Sequence, residues 1–500
     1  MLANSAMAAE AARAVGTPPG ADSMAAYWSD WQRGEYPSTR SACARSHLSQ
    51  LTLQLSAAVQ SSIDGDKLLS GFDSLVRQAT AGAHLFASLA GNPSALRTLL
   101  QLVALAPRLT PAIACRPDAF DALIADRPSA DMMPMDDLAR ALAVLKSDND
   151  AGHFARIQRF TREHQFLIGA RAVLGWMPIA EAERAYSKLA FAVVHEVIRL
   201  VERRLVNLHS RVAGADWALV ALGKFGRFEL TATSDLDLML VYQSPDDAPA
   251  SSGPRSLPAT QYFNLLAKNV IAALGAQDRD GALFEVDFRL RPWGSKGPIA
   301  TQLSTLRDYL EQESWTYEHM AMTRARVVAG PARFQAAIEE VIRGALYRSA
   351  ARRQLRTDML EMHTLVHTAK ETENVWDVKH VRGGMIDIEF IAQYLMLRHA
   401  NAAPDLIHPA TADALSHLGQ AGVLAASDRD ELSGALSLFK TVLQAARIAC
   451  APGELPETMS GAFARQLPAM LGEADFAALE AKLGRVQKSV RKAFVRLTKG

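Results

Sequence analysis

The sequence predicts a mostly helical α+β protein, with a small mixed α/β core between an amino-terminal helical domain and a carboxy-terminal helical bundle. Three observations support this fold class. Apolar residues recur at helical spacing up to about residue 210, short apolar runs of strand length follow between 217 and 291, and helical spacing returns after about residue 303. We therefore expect four segments. They are a loose leader at 1–45, a helical linker or regulatory domain at 46–185, an α/β domain at 186–330 and a helical domain at 331–500.

Apolar stripes and capping residues predict the amino-terminal helices. One stripe recurs at intervals of three and four residues, which places its members on a single helix face. Asn92 followed by Pro93 has the residue types that begin a helix, with asparagine as the cap and proline in the first turn. A longer helix is expected from about Ile179 to Leu208. The stripe consists of Leu68, Leu69, Phe72, Leu75 and Val76.

Three short segments between residues 217 and 291 are predicted to be strands. Two are apolar runs, and the second of them alternates aspartate with leucine. A helix at about 260–275 separates them from a third strand, which Pro292 stops. The three predicted strands are WALVALG at 217–223, DLDLMLVY at 235–242 and ALFEVDFRLR at 282–291.

Composition and charge limit the partners and the compartment. The 500 residues include 54 basic and 53 acidic side chains, so the chain lacks the strong positive charge of a non-specific nucleic-acid binder. Cys43, Cys115 and Cys450 are too widely spaced for a disulfide framework. The amino terminus lacks the features of a secretory signal, and no window approaches the ~20 apolar residues that span a bilayer. We expect a cytoplasmic protein without nucleic-acid or membrane partners.

Two aspartates share one face of the second predicted strand, because residues two apart on a strand point the same way. Such a pair, Asp235 and Asp237, is by itself more often a solvated outer face than a site. Here a third carboxylate, Asp287, lies between apolar neighbours on another predicted strand, and a divalent cation would relieve the repulsion between the charges. Because oxygen ligands suit Mg²⁺, the three aspartates are predicted to be catalytic and to bind metal, with two ions serving in-line phosphoryl displacement.

A glycine turn and two arginines accompany these carboxylates. Gly223, Lys224 and Gly226 end the first predicted strand, where backbone N–H groups can approach a phosphate closely. Arg289 and Arg291 alternate with Asp287 and are therefore predicted to share its face and to neutralise negative charge on phosphate. The combination favours a site that binds a metal and a phosphorylated ligand.

This arrangement resembles the nucleotidyltransferase fold typified by DNA polymerase beta. Four longer blocks, in the same order, resemble the signature blocks of the glutamine synthetase adenylyltransferase family over roughly residues 70–490. In that family an amino-terminal unit removes the adenylyl group from glutamine synthetase and a carboxy-terminal unit attaches it. The blocks are GKFGRFELTATSDLDLMLVY at 223–242, LFEVDFRLRPWGSKGP at 283–298, SWTYEHMAMTRARVVAG at 314–330 and VKHVRGGMIDIEFIAQYLMLRHA at 378–400.

The resemblance favours the attaching unit, since Trp315, Glu318, His319 and Asp387 are similar to it. It implies transfer of AMP from ATP to a tyrosine hydroxyl of glutamine synthetase, with release of pyrophosphate and two Mg²⁺ ions as cofactors. Two alternatives remain open. One is an adenylyl-removing unit that uses phosphate, and the other is a catalytically silent regulatory half that binds glutamine synthetase or a PII-type nitrogen-signalling protein. The chain is about half as long as the usual two-headed enzyme.

Within the catalytic segment at 186–330, the resemblance also assigns residues to the nucleotide. It implies that Lys224, Ser234 and the amides of Gly223 and Gly226 bind the β- and γ-phosphates. Arg289 and Arg291 are assigned more loosely, to phosphate or acceptor contacts. One departure stands out, because Arg227 replaces a glycine of the family pattern and bears on the geometry of the phosphate loop.

Three further pairs of residues have plainer interpretations. His363 and His367, four apart on a predicted helix, lack the glutamate of a zinc-protease motif and are expected on an ordinary helix surface. Asp387 and Glu389 are expected to be a helix cap and a domain-interface pair rather than metal ligands. Trp315 and His319 lie on one helix face and are expected to pack against the catalytic domain.

Overall fold

The computed structural model describes residues 21–62, 64–125, 134–145, 147, 149–245, 249–278, 281–350, 352, 354–370, 372–450 and 461–499. The chain forms two compact units, each built from separate stretches of sequence. The first unit comprises the chain up to residue 132 together with 162–182 and 444–479. The second unit comprises 133–161, 183–443 and 480–500.

The first unit is helical. Its core includes the buried aromatic side chains of Trp31, Phe72, Phe86 and Phe120, and the Trp31 indole donates a hydrogen bond of 2.9 Å to Asp73. The helices that lie wholly within it are α1 Ala21–Arg33, α2 Ala42–Gln50, α3 Thr52–Ser61, α4 Gly65–Gln78, α5 Gly82–Gly91, α6 Pro93–Leu105, α7 Thr110–Cys115, α8 Pro117–Ala125 and α21 Gly461–Met470.

Helix α1 differs from the loose leader expected at 1–45. Its Trp31 is fully buried and stacks edge-on against Phe72 at 5.6 Å, so the segment is anchored by an aromatic side chain. Residues 1–20 of that predicted leader lie outside the described residues. The expected helix start at Asn92 and Pro93 is confirmed, because the Asn92 side chain accepts the N–H groups of Ser94 and Ala95.

The second unit combines helices with a mixed sheet. Within the described part of the chain, four long helices contribute residues to both units, and the bounds of one of them, Ile179–His209, agree with the predicted long helix. The remaining helices are α9 Met135–Val144, α10 Asp150–Val173, α11 Ile179–His209, α12 Gly223–Arg227, α13 Ala259–Leu274, α14 Leu303–Gln312, α15 Thr316–Met322, α16 Ala332–Ser349, α17 Leu355–Ala369, α18 Met385–His399, α19 Thr411–Gln420, α20 Ala426–Ala449 and α22 Phe476–Leu497.

The sheet has strand order β5-β2-β1-β7, with β6 also pairing with β2. Strand β1 is antiparallel to β2 and β7, whereas β5 and β6 run parallel to β2 along its other edge. The register places Asp237 of β2 directly opposite Asp287 of β5. The strands are β1 Asp216–Ala221, β2 Leu236–Gln243, β5 Val286–Asp287, β6 Ala300–Gln302 and β7 Arg326–Ala329, with a separate two-stranded ribbon of β3 Gln277–Asp278 and β4 Gly281–Ala282.

The third predicted strand is far shorter than expected, since only Val286 and Asp287 of the segment 282–291 pair with β2. The Asp287 carboxylate explains where it ends. It accepts the backbone N–H of Arg289 at 2.7 Å, a local turn that competes with the sheet ladder. The predicted fold class, α+β and mostly α, is confirmed.

Among the described residues, no helix taken singly has the length and apolar character needed to cross a bilayer. The segments Pro93–Leu105 and Pro107–Cys115 fulfil those two requirements only as a pair, and the pair is bent by 117°.

Candidate active site

The three predicted carboxylates converge at the β2–β5 edge of the sheet. A ligand oxygen from each of Asp235, Asp237 and Asp287 lies within 4.8 Å of the others. The alternation at the start of β2 produces this arrangement, because Leu236 and Leu238 are fully buried while Asp235 and Asp237, which alternate with them, face outward. Three carboxylate oxygens gathered at one point fit a divalent cation that prefers oxygen ligands.

The electrostatics of the cluster reflect its crowding. Burial, followed by the charges of Asp235 and Asp287, raises the pKa of Asp237 to about 6. The pKa of Asp287 is lowered, mainly by its hydrogen bonds with the Arg289 guanidinium, whose Nε lies 2.8 Å from Oδ2. The charge of Asp237 is therefore less compensated by protein groups than that of Asp287, which is a property expected of a cation ligand.

An open cleft of about 340 Å³ borders the carboxylates and is lined by residues of β5 and its flanks. Glu285, Phe288 and Arg289 form this lining together with Asp235 and Asp287. The Arg289 side chain is mostly exposed, so its guanidinium can leave Asp287 without unfolding any structure around it. The cleft thus offers both negative oxygens and one movable positive group.

Gly223 brings the turn after β1 against the acidic cluster. It adopts a φ of +52°, and a Cβ at this position would lie 1.9 Å from Asp237 Oδ2. A Cβ on Gly226 would lie 2.0 Å from the carbonyl oxygen of Arg324. Neither position can therefore hold a larger side chain, because Gly223 lies against the candidate metal ligand Asp237 and Gly226 lies against the backbone that leads into β7.

Lys224 and Ser234 are placed differently from one another. Lys224 lies half-buried on the short helix α12, immediately after Gly223. The Ser234 hydroxyl accepts the backbone N–H of Thr231 at 2.9 Å and closes the turn that leads to Asp235. The serine therefore orients the start of β2, and its phosphate contact stays a prediction.

The two arginines after Asp287 differ in their exposure and in their partners. Whereas Arg289 is exposed and paired with Asp287, the Arg291 guanidinium is buried. It donates to the carbonyl oxygens of Pro298 at 2.8 Å and Gly297 at 3.2 Å, and also to that of Phe288. These bonds tie together the loop that follows β5, so Arg291 is engaged by backbone in this structure.

Arg227 forms ion pairs with two glutamates. Its guanidinium is buried, with one nitrogen 2.6 Å from Glu389 Oε1 and Nε 3.2 Å from Glu229 Oε2. Arg324 binds the other oxygen of Glu389 at 2.8 Å. The Arg227 side chain thus lies in a buried ion network.

This buried network joins residues far apart in the sequence and was missed by sequence reasoning. Lys440 completes it, with Nζ 2.7 Å from Glu229 and 3.2 Å from Glu183, which gives three cations and three carboxylates in total. Burial alone would raise the pKa of Glu389, but Arg227 and Arg324 hold it well below its ordinary value. Four of its members lie in the signature blocks, whereas Glu183 and Lys440 lie outside them and carried no sequence signal.

Two expectations about the flanking helices are wrong. Trp315 is 68% exposed and does not pack into a core, although its helical neighbour His319 is buried. Glu318 accepts the backbone N–H of Trp315 at 2.8 Å and so begins α15. His363 and His367 are buried rather than on a helix surface, and both contact Asp387.

Comparisons with known proteins agree with this geometry. A family model for glutamate-ammonia ligase adenylyltransferase matches residues 96–341, and one for PII-uridylyltransferase (GlnD) matches residues 352–498. Curated proteins of Rhodopseudomonas palustris and Agrobacterium fabrum are 38% identical over 443 residues and 36% identical over 476. Both are named bifunctional glutamine synthetase adenylyltransferase/adenylyl-removing enzyme.

These alignments cover 87% and 94% of this chain but 44% and 48% of the two relatives. The chain therefore spans about half the length of the curated relatives that it matches. A mixed sheet that gathers three carboxylates beside a glycine turn defines the class of the nucleotidyltransferases. The comparisons and this arrangement together show that the chain belongs to the glutamate-ammonia ligase adenylyltransferase family.

Proposed function

We propose that this chain transfers AMP from ATP to a tyrosine hydroxyl of glutamine synthetase and releases pyrophosphate. The observation that carries the proposal is the convergence of Asp235, Asp237 and Asp287 within 4.8 Å at the edge of the sheet. The names of the relatives support glutamine synthetase as the acceptor, since those proteins are named for acting on it. We further propose that the reaction takes place in the cytoplasm and involves no nucleic acid.

The three aspartates would hold Mg²⁺, two ions in the arrangement that we favour. Bound there, the metal would supply positive charge to the triphosphate and would lower the pKa of the acceptor hydroxyl, which is near ~10 in free tyrosine. The protein's own contribution is to hold the oxygens together. The β2–β5 register and the absence of a side chain at Gly223 maintain their separation.

The nucleotide would approach from the glycine turn. Lys224 and the amides of Gly223 and Gly226 are the proposed contacts for the β- and γ-phosphates, with Ser234 holding the turn before Asp235. Arg289 is the proposed mobile cation. Its exposed guanidinium pairs with Asp287 and would move to a phosphate when Asp287 binds a metal. Arg291 is better suited to hold the loop that carries Arg289.

A regulatory role is the second candidate. The match of residues 352–498 to the PII-uridylyltransferase family model favours a response to a PII-type nitrogen-signalling partner through the carboxy-terminal helices. A regulatory role is compatible with AMP transfer. It would be the sole function of the chain only if the chain did not bind ATP together with a metal ion.

The proposal predicts that Asp235→Asn with Asp237→Asn abolishes transfer while the fold survives, because the amides keep the shape and remove the charges that hold metal. The measurement is label on glutamine synthetase after incubation with Mg²⁺ and ATP that carries the label at the α- or the γ-position. Only the α-label should be transferred, and the double variant should transfer less than about one thousandth as much.

The matched control is Glu339→Gln with Glu340→Gln, which removes two exposed carboxylates from α16 of the same unit. This variant should transfer label like the unsubstituted chain. Transfer by the Asp235/Asp237 variant, or equal loss in the control, would contradict the assignment of the site.

A further inference from the structure

A second cluster of metal-ligating residues lies away from the acidic site, between α17 and α18. His363 and His367 are four residues apart on α17, so both rings project from one helix face. The Nε2 atoms of the two rings lie 2.7 Å and 2.9 Å from the same oxygen, Oδ1 of Asp387. All three side chains are buried, and that of Asp387 is fully so.

The surroundings hold this cluster in one orientation. The other carboxylate oxygen of Asp387 accepts the backbone N–H of Gly383 at 2.9 Å and faces the Arg491 guanidinium at 3.6 Å. The His363 ring stacks on Phe494, with 4.1 Å between the ring centroids. Oδ1 and the two imidazoles are therefore directed toward each other by groups outside them, as in metal sites where a surrounding shell orients the ligands.

The donor set is typical of zinc. Two imidazole nitrogens and one carboxylate oxygen form a common three-ligand set, and a histidine pair four apart on a helix is a frequent component of such sites. Tetrahedral zinc places neighbouring ligand atoms about 3.3 Å apart, so the two contacts to Oδ1 would need to lengthen by only about 0.5 Å. Small rotations of the three side chains provide that change without moving either helix.

We propose that His363, His367 and Asp387 form a structural zinc site that joins α17 to α18. The dication takes the place of the hydrogen bonds between the two Nε2 atoms and Oδ1. Each ring binds it as neutral imidazole through Nε2 and carries its single proton on Nδ1. The site does not involve Asp235, Asp237 or Asp287, and its occupancy is independent of whether the chain transfers AMP.

The test is the zinc content of the untagged full-length chain, purified from cells grown with added zinc and then freed of loose ions by gel filtration. The Asp235→Asn, Asp237→Asn background is used so that the acidic site cannot contribute metal. We expect one zinc ion per chain by elemental analysis. A strong chelator should lower the unfolding temperature by about 5 °C as the ion is lost.

His367→Gln is the informative variant, because its amide can still donate a hydrogen bond to Asp387 but is a poor zinc ligand. It should fold, contain less than a tenth of the zinc, and show no response to chelator. The matched control is His408→Ala with His417→Ala, a stacked and more exposed histidine pair in the same unit. It should retain the full content. Absence of zinc from the parent chain, or equal zinc in His367→Gln, would overturn the site in favour of a hydrogen-bonded triad.

Discussion

His319 illustrates how one residue of a signature block has a structural role. Its ring is buried between Ser314 and Ser349, and a guanidinium nitrogen of Arg352 lies 3.0 Å from Nε2. Arginine can only donate, so Nε2 accepts, and the ring proton lies on Nδ1 and binds Ser349. Burial, followed by the charge of Arg352, lowers the pKa of His319 to about 4.

This shift predicts an acid-sensitive contribution to stability. Since the folded ring resists protonation, the unfolded chain gains the proton first as the pH falls below about 6.5, and folding stability decreases until the pH approaches 4. The decrease should be roughly 2 kcal/mol near pH 5. His319→Gln should lose part of this pH dependence, as measured by thermal unfolding at about pH 7 and about pH 5.

The exposed His84 provides the control, because His84→Gln removes a surface imidazole without changing the buried site. It should leave the difference between the two unfolding temperatures unchanged. An unaltered pH dependence in His319→Gln would show that other buried histidines, such as His153, account for the effect.

The sequence identified the residues of the acidic site better than their partners. Alternation along a strand is a local property, so Asp235 and Asp237 could be assigned to one face from their spacing alone. Arg227 contacts Glu389, 162 positions away, and His363 contacts Asp387, 24 positions away, and no local pattern predicts contacts over such separations. For that reason the spacing of His363 and His367 indicates a helix surface where the structure has buried contacts, and the ion pairs of Arg227 have no counterpart in the sequence analysis.

At the level of elements, the ion network links the helix after β1 to helices of the carboxy-terminal half. Arg227 is on α12, Glu389 on α18 and Lys440 on α20, and the charges compensate one another away from water. Removing one partner leaves the other charge buried, whereas a removed pair leaves less uncompensated charge. The network therefore stabilises the position of α12, on which the glycine turn depends.

The coupling can be measured with Arg227→Met, Glu389→Gln and the double variant. Each single change should cost about 3 kcal/mol in the free energy of unfolding, and the double variant should cost less than their sum by on the order of 2 kcal/mol. Chemical denaturation provides the values. The exposed pair Arg348 and Glu311, 2.8 Å apart, serves as the control cycle and should show coupling below about 0.5 kcal/mol. Equal coupling in the two cycles would contradict the role of burial.

At the level of the whole molecule, helical periodicity predicted the fold class, but it did not predict how the chain divides. The four predicted segments follow one another along the sequence, whereas each compact unit is assembled from three separate stretches. Long helices such as Ile179–His209 contribute to both units, and nothing in their apolar spacing marks where one unit ends. Exposure was equally hard to infer, since Trp31 is buried although its segment was expected to be a loose leader, whereas Trp315 is exposed although it was expected to pack.

The direction of the reaction is the last property that belongs to the whole chain. The relatives are named for two opposing activities, and this chain spans about half of their length. From the similarity of Trp315, Glu318, His319 and Asp387 to the attaching unit, we expect the chain to adenylylate glutamine synthetase and to lack phosphate-dependent removal.

The measurement is incubation of adenylylated glutamine synthetase with phosphate and Mg²⁺, followed by detection of ADP. An adenylyl-removing chain would release one ADP for each adenylyl group, whereas an attaching chain would leave the adenylyl group on glutamine synthetase. The Asp235→Asn, Asp237→Asn variant identifies any ADP that arises from contaminating enzymes, because it keeps the fold without the proposed metal ligands. ADP release by the unsubstituted chain but not by this variant would reverse the assigned direction while leaving the acidic site intact.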